Sequence, residues 1–287
     1  MQVIAVTNQK GGVGKTTHAI GLACALLDAG FRVLFCDVDT QGNSTQFFDK
    51  FKCSVPSASF FNTDCDASGI AEVFKNQLCL IPATPALENV HRMGNENLNN
   101  LRENLKSFPD GAYDFCIIDT PPAAGFTLKA VVFAADYIFM PMELKQWSIE
   151  GSVLMLQTIF GMNGEKQQLY GEEINFLGIL INMYDRSDKN QGEALEALKV
   201  QLSSYLMIGQ QDGEGETTVK DVIKISQKNV IEHAQNLGVP VWKYNDAQNS
   251  TRSKAATESA REFTLLYSYL FDKMGIKFNG LINKVIY

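Results

Sequence analysis

A glycine loop set between a short apolar run and a helix constrains this chain more than any other feature. Val3-Ile4-Ala5-Val6 reads as a buried strand, and Gln9-Lys10-Gly11-Gly12-Val13-Gly14-Lys15-Thr16-Thr17 follows it closely. Ile20, Ala23, Cys24 and Leu27 then recur at helical spacing until Gly30 supplies a C-terminal stop. Glycines let successive backbone N–H groups converge on one anion, and the helix N-terminus adds its partial positive charge. Lys15 can reach the β- and γ-oxygens of a nucleotide so held, and Thr16 can offer its hydroxyl to Mg²⁺.

The rest of the chain extends this opening into an α/β pattern. Phe31 to Cys36 is a second buried strand ending in Asp37, Leu78 to Pro82 a third, and Phe115-Cys116-Ile117-Ile118 a fourth that again ends in an aspartate, Asp119. Tyr137–Met140, Asn175–Ile181 and Val219–Ile225 are further strands. Helices are expected over Asn97–Phe108 and near 150–161, 191–206, 229–237 and 254–272. Residues 53–76 read as surface loops with one short helix, and Gly209–Glu216 as a flexible connection. The pattern predicts a mostly parallel, twisted sheet with helices on both faces, in one domain spanning 1–287.

Composition narrows the functions. With 25 Lys+Arg against 32 Asp+Glu the net charge is −7, so nucleic acid binding must come from a few placed cations rather than the whole surface. Six scattered cysteines and three histidines offer no metal-cage spacing, which leaves the thiols as small buried hydrophobes. No apolar run approaches spanning length, and the N-terminus opens directly into a strand; a cytoplasmic protein is expected.

The string Lys10-Gly11-Gly12-Val13-Gly14-Lys15-Thr16-Thr17 resembles the deviant Walker A loop of the ParA/MinD ATPases, with Gln9 where the common loop has its first glycine. The resemblance implies a P-loop NTPase-like fold, ATP and Mg²⁺ as cofactors, and an ATP-sandwich homodimer in which Lys10 reaches the phosphates bound by the other subunit. It covers most of residues 1–160. Asp37-Val38-Asp39-Thr40-Gln41-Gly42-Asn43-Ser44-Thr45 resembles the family's D-x-D-P-Q-G-N-x-T segment, with Thr40 in place of proline. Two carboxylates one residue apart at a strand end can point to different places. Asp39 is the expected water-positioning residue, and Asp37 an outer-shell partner of the metal. Phe115 to Pro122, a buried strand ending in an acid, resembles a Walker B segment, whose Asp119 can accept from metal-bound water or from the Thr16 hydroxyl.

Catalysis is thus expected from Lys10, Lys15 and Asp39, nucleotide binding from Lys10, Gly11, Gly12, Val13, Gly14, Lys15, Thr16 and Thr17, and metal binding from Thr16, Asp37 and Asp119. Gly178 to Arg186 resembles the strand and loop near the base, with Asn182 as the candidate adenine contact. No N-K-x-D string is present to read guanine, which favours ATP over GTP.

Gly238-Val239-Pro240-Val241-Trp242-Lys243-Tyr244 and Ser253-Lys254-Ala255-Ala256 resemble the ending of partition ATPases rather than of MinD. That likeness implies non-specific DNA binding, association with the nucleoid when ATP is bound, and release by a ParB-like centromere-binding or cargo-adaptor partner. Lys228, Arg252 and Lys254 are the candidate DNA contacts. Two other classes compete. Met274, Phe278, Leu281, Ile282 and Val285 share a helical face among lysines, so residues 271–287 could form an amphipathic tail of a MinD-like membrane switch. A metabolic ATP-dependent ligase on the same fold would need a small-substrate site and no Lys10. An iron–sulphur reductase is disfavoured, because no cysteine follows Asp119.

Overall fold

The computed structural model describes residues 1–63, 65, 77–122, 124–212, 218–248, 253–277 and 280. Its strands are β1 (Gln2–Val6), β2 (Val33–Asp37), β3 (Leu78–Ile81), β4 (Phe115–Asp119), β5 (Tyr137–Glu143), β6 (Asn175–Tyr184), β7 (Ile208–Asp212), β8 (Thr218–Val222) and β9 (Lys224–Ser226). Seven of them form one sheet in the order β3-β2-β4-β1-β5-β6-β9, with every neighbouring pair parallel. The principal helices are α1 (Lys15–Asp28), α2 (Asn43–Phe47), α3 (Asn100–Lys106), α4 (Phe126–Ala134), α5 (Gln146–Tyr170), α6 (Lys189–Gln201), α7 (Asn229–Asn236) and α8 (Lys254–Lys273).

Both faces of the sheet are buried, as the unbroken apolar strands require. Side chains alternate between them: Val3 and Ala5 enter one core, Ile4 and Val6 the other. The first core is closed by Leu101 and Leu105 of α3, Val131 of α4, Met155 and Ile159 of α5, and Leu195 and Leu198 of α6. The second is closed by α1, by Val230 and Ala234 of α7, and by Phe263, Leu266, Tyr267 and Leu270 of α8. Each buried Val, Leu, Ile, Met or Phe among them contributes roughly 1.5–3 kcal/mol. The α/β expectation, with helices on both faces, holds.

Polar ties hold the layers in register. Trp242 Nε1 and Lys243 Nζ both donate to the buried Asp28 carboxylate, at 3.0 and 2.8 Å, fixing the end of α1 to the segment before α8. On the opposite face Lys166 of α5 is buried, and its amine donates to the Ala135 carbonyl at 2.7 Å. Glu172, just beyond α5, accepts from Arg102 and Lys106 of α3.

Three expectations need correction. Gly209–Glu216 is not simply a flexible connection: its first residues belong to β7, which pairs antiparallel with β8. The single strand expected over Val219–Ile225 divides at Ile223, β8 serving that hairpin and β9 joining the edge of the main sheet beside β6. The helix expected near 150–161 runs from Gln146 to Tyr170, with Gly151, Gly161 and Gly164 inside it, glycines that blur the apolar rhythm without breaking the helix. At the C-terminus α8 stops at Lys273, Met274 is buried on the second core, and Ile276 packs against it. Phe278 and residues 281–287 of the expected tail lie outside the described residues. Among the described residues, no helix is long and apolar enough to cross a membrane.

Candidate active site

The site forms where β1, β2 and β4 end side by side, with register pairs Val6–Asp119 and Asp37–Asp119 bringing the strand termini level. In an open parallel sheet this C-terminal edge, near the point where connections diverge to either side, is where ligands bind. Chain topology therefore delivers the glycine loop, the paired aspartates and the Walker B aspartate to one place, although they lie far apart in sequence.

Gly12 (φ 76°) and Gly14 (φ 90°) occupy the left-handed region, which turns the loop back onto α1. A side chain at Gly14 would also strike Asn182, whose Nδ2 would lie 2.3 Å from a Cβ there. The N-terminus of α1 carries no side-chain cap. Lys15 is 5% exposed, and its amine donates to the Lys10 carbonyl at 2.9 Å. Burial lowers the Lys15 pKa, while Asp119 and Asp39 pull it back up.

The carboxylates divide their work. Asp37 accepts from the Thr45 hydroxyl (2.7 Å) and amide (2.8 Å) through Oδ2, and from the Asp39 amide through Oδ1. Burial raises its pKa against those hydrogen bonds. Asp39 sits in a turn, accepting from the Gln41 amide at 3.0 Å. Asp119 is fully buried; Ser44 donates to its Oδ2, whereas its Oδ1 is buried without a hydrogen-bond partner. Burial pushes the Asp119 carboxyl up to about 7, Asp37 adds to the rise, and Ser44 and Thr16 offset part of it.

That orphaned oxygen, in a carboxylate that lies near Thr16 and a second buried acid, has the hardness and charge that suit a divalent cation. The uncapped helix end and left-handed glycines fit a polyphosphate in the same way. A cleft of about 520 Å³ opens beside Thr16 and Thr17, lined also by Asn43, Gln46, Glu232 and Gln235. A second cavity of about 270 Å³ adjoins Thr17, Asn182, Met183 and Ser226.

Lys10, Gly11, Gly12, Val13, Gly14, Lys15, Thr16 and Thr17 are contiguous, and the fold brings Asp37, Asp39 and Asp119 to them. Asn182 braces the loop from beneath: it is 5% exposed, and its Nδ2 donates to the Val13 carbonyl at 2.8 Å. Lys228 is also drawn inward, lying 3.4 Å from carboxylate oxygens of both Glu258 and Glu262. Lys254 is 92% exposed on its side chain, and Arg252 lies outside the described residues. Sequence reasoning missed Asn8, Ser44 and Thr45. The Pro141 partner of Asn8 and the Asp119 partner of Ser44 lie far off in the chain, while Thr45, at the end of the D-x-D segment, reaches back only to Asp37.

The fold and this site define a phosphate-loop nucleotide-binding protein of the α/β class. Comparison with known proteins makes the assignment narrower. A family model described as an AAA domain matches residues 1–170. IncC of Escherichia coli is 30% identical over 96% of this chain and 71% of its own length. The chromosome partitioning protein ParA of Caulobacter vibrioides is 31% identical over 65% of this chain and 71% of its own. Among solved structures, the ATP complex of McdA from Cyanothece superposes with a TM-score of 0.70 at 21% identity, covering 96% of this chain and 97% of that one, a likeness of fold. The chain belongs to the ParA/MinD family of deviant Walker A ATPases, on its ParA side.

Proposed function

We propose that this ParA-type positioning ATPase works as an ATP-dependent sandwich dimer that binds DNA without sequence preference and is released when a ParB-like or cargo-adaptor partner stimulates hydrolysis. The observation that carries the reading is a buried lysine in a left-handed glycine loop beside Asp39 and Asp119, the latter keeping an unpartnered oxygen. Lys15 and the loop amides would hold the phosphates, Thr16 and Asp119 the metal, with Asp37 behind them. Mg²⁺, when bound, neutralises charge that develops on the phosphoryl oxygens. Asp39 orients the attacking water, and Lys10 adds positive charge from the facing protomer, where it is worth most in a site closed to solvent.

The DNA-facing charge is assigned to the start of α8, where the Lys254 side chain is 92% exposed and only loosely paired with Glu258, at 4.0 Å. Lys228 is held by two glutamates and is a weaker candidate. Retention on DNA and on liposomes, compared with ATP, ADP and no nucleotide, tests the reading. Retention on DNA with ATP alone is expected, weakening steeply with added salt. Retention on lipid alone would replace it with a membrane switch.

A further inference from the structure

We infer that Asn8 is the positioning residue that sets both lysines of the loop, an inference that rests on the ATPase reading of the site. Asn8 is fully buried two residues beyond the end of β1. The ladder between β1 and β5 ends as the Thr7 amide donates to the Phe139 carbonyl at 3.2 Å. The next acceptor along that edge is the Pro141 carbonyl, which a continuing strand would meet with a backbone N–H two residues further on. Here the chain has already turned away, and Asn8 Nδ2 takes that carbonyl instead, at 2.9 Å. The side chain thus completes the ladder while the backbone leaves it.

The other end of the same amide faces the loop. Asn8 Oδ1 accepts from the Lys10 backbone N–H at 3.0 Å, and the carbonyl of Lys10 accepts from the Lys15 amine at 2.9 Å. The backbone of Lys10 is therefore a junction: its N–H is tied through Asn8 to β5, and its C=O steers the cation that grips phosphate within the subunit. The same backbone carries the side chain assigned to the facing subunit. Asparagine suits the position because it alone among side chains of this length presents a donor and an acceptor together without charge. Aspartate would set a carboxylate against the Pro141 carbonyl, and alanine would leave both the Pro141 acceptor and the Lys10 donor without their partner.

Full-length Asn8→Ala and Asn8→Asp test this, with titration of a fluorescent ADP analogue, steady-state ATP hydrolysis and thermal unfolding measured on each. Asn104→Ala is the control: Asn104 is also buried, donating to the Phe60 and Asn62 carbonyls far from the loop. Both Asn8 variants should bind ADP several-fold more weakly and lose roughly 10- to 100-fold in kcat, as misplacement of a positioning group predicts. Asn104→Ala should unfold at a lower temperature with ADP affinity and kcat unchanged. Wild-type ADP affinity and kcat in either folded Asn8 variant would overturn the inference, as would losses that Asn104→Ala reproduces. Wild-type protein that binds ADP but hydrolyses no ATP would instead remove the ATPase reading, while the ADP arm still decides the role of Asn8.

Discussion

At the scale of single residues the site is a set of buried charges tied unequally: Asp37 spends both carboxylate oxygens on Thr45 and Asp39, whereas Asp119 keeps one unspent. Asp39 spends one carboxylate oxygen on the Gln41 amide that shapes its turn. Asp39→Ala should therefore leave nucleotide affinity within about threefold of wild type while kcat falls on the order of 100-fold, the size expected for losing a group that orients the nucleophile. Titration with a slowly hydrolysed ATP analogue beside a phosphate-release assay checks both halves; undiminished turnover would take the water-positioning role from Asp39. Much of this was legible in sequence. Lys15, Asp37, Asp39 and Asp119 each terminate or follow an apolar run, and strand ends meet in a parallel sheet. Ser44 and Asn8 were not legible, because their partners Asp119 and Pro141 lie 75 and 133 residues away. The pairing of Lys228 with Glu258 and Glu262 was hidden for the same reason, since those glutamates lie on α8.

At the scale of elements, a few polar ties join helices to neighbouring segments around the two apolar cores. Asp28 is 1% exposed on its side chain and holds Trp242 and Lys243 against the end of α1. Asp28→Ala strands a buried cation, which costs about 3–5 kcal/mol. The melting temperature should fall by on the order of 10 °C in a calorimetric scan; a shift under about 2 °C would show that the contact contributes little. Glu172 ties α3 to the end of α5. Burial pushes its carboxyl up, but hydrogen bonds from Arg102 and Lys106 outweigh this and hold it at about 2, below the ordinary 4.5. A carboxyl depressed on folding contributes stability that is complete above about pH 4.5 and is lost as pH falls toward 2. The urea midpoint should drop across that window, and Glu172→Gln should flatten part of the drop; an equal slope in both would remove the assignment. The elements least legible from sequence were β7 to β9. Hairpin and edge strands are short, and Gly209-Gln210-Gln211 carries none of the β-branched alternation that marks the central strands.

At the scale of the whole molecule, the proposed switch depends on a second copy of the chain. The sheet presents the loop at its C-terminal edge, so two subunits meeting there face to face would close both nucleotide sites together. Lys10 is half-buried at that edge, five residues before Lys15, and its backbone steers the Lys15 amine. In the proposed switch one cation would serve its own subunit and the other its neighbour, which would make dimerisation conditional on the triphosphate. Light scattering of the eluting protein, with Lys10→Ala compared against wild type in ATP and in ADP, measures this directly. Wild type should double its mass with ATP alone, and Lys10→Ala should remain at monomer mass in both nucleotides while still binding ADP. A variant that dimerises with ATP as wild type does would contradict the two-subunit role of the loop lysines.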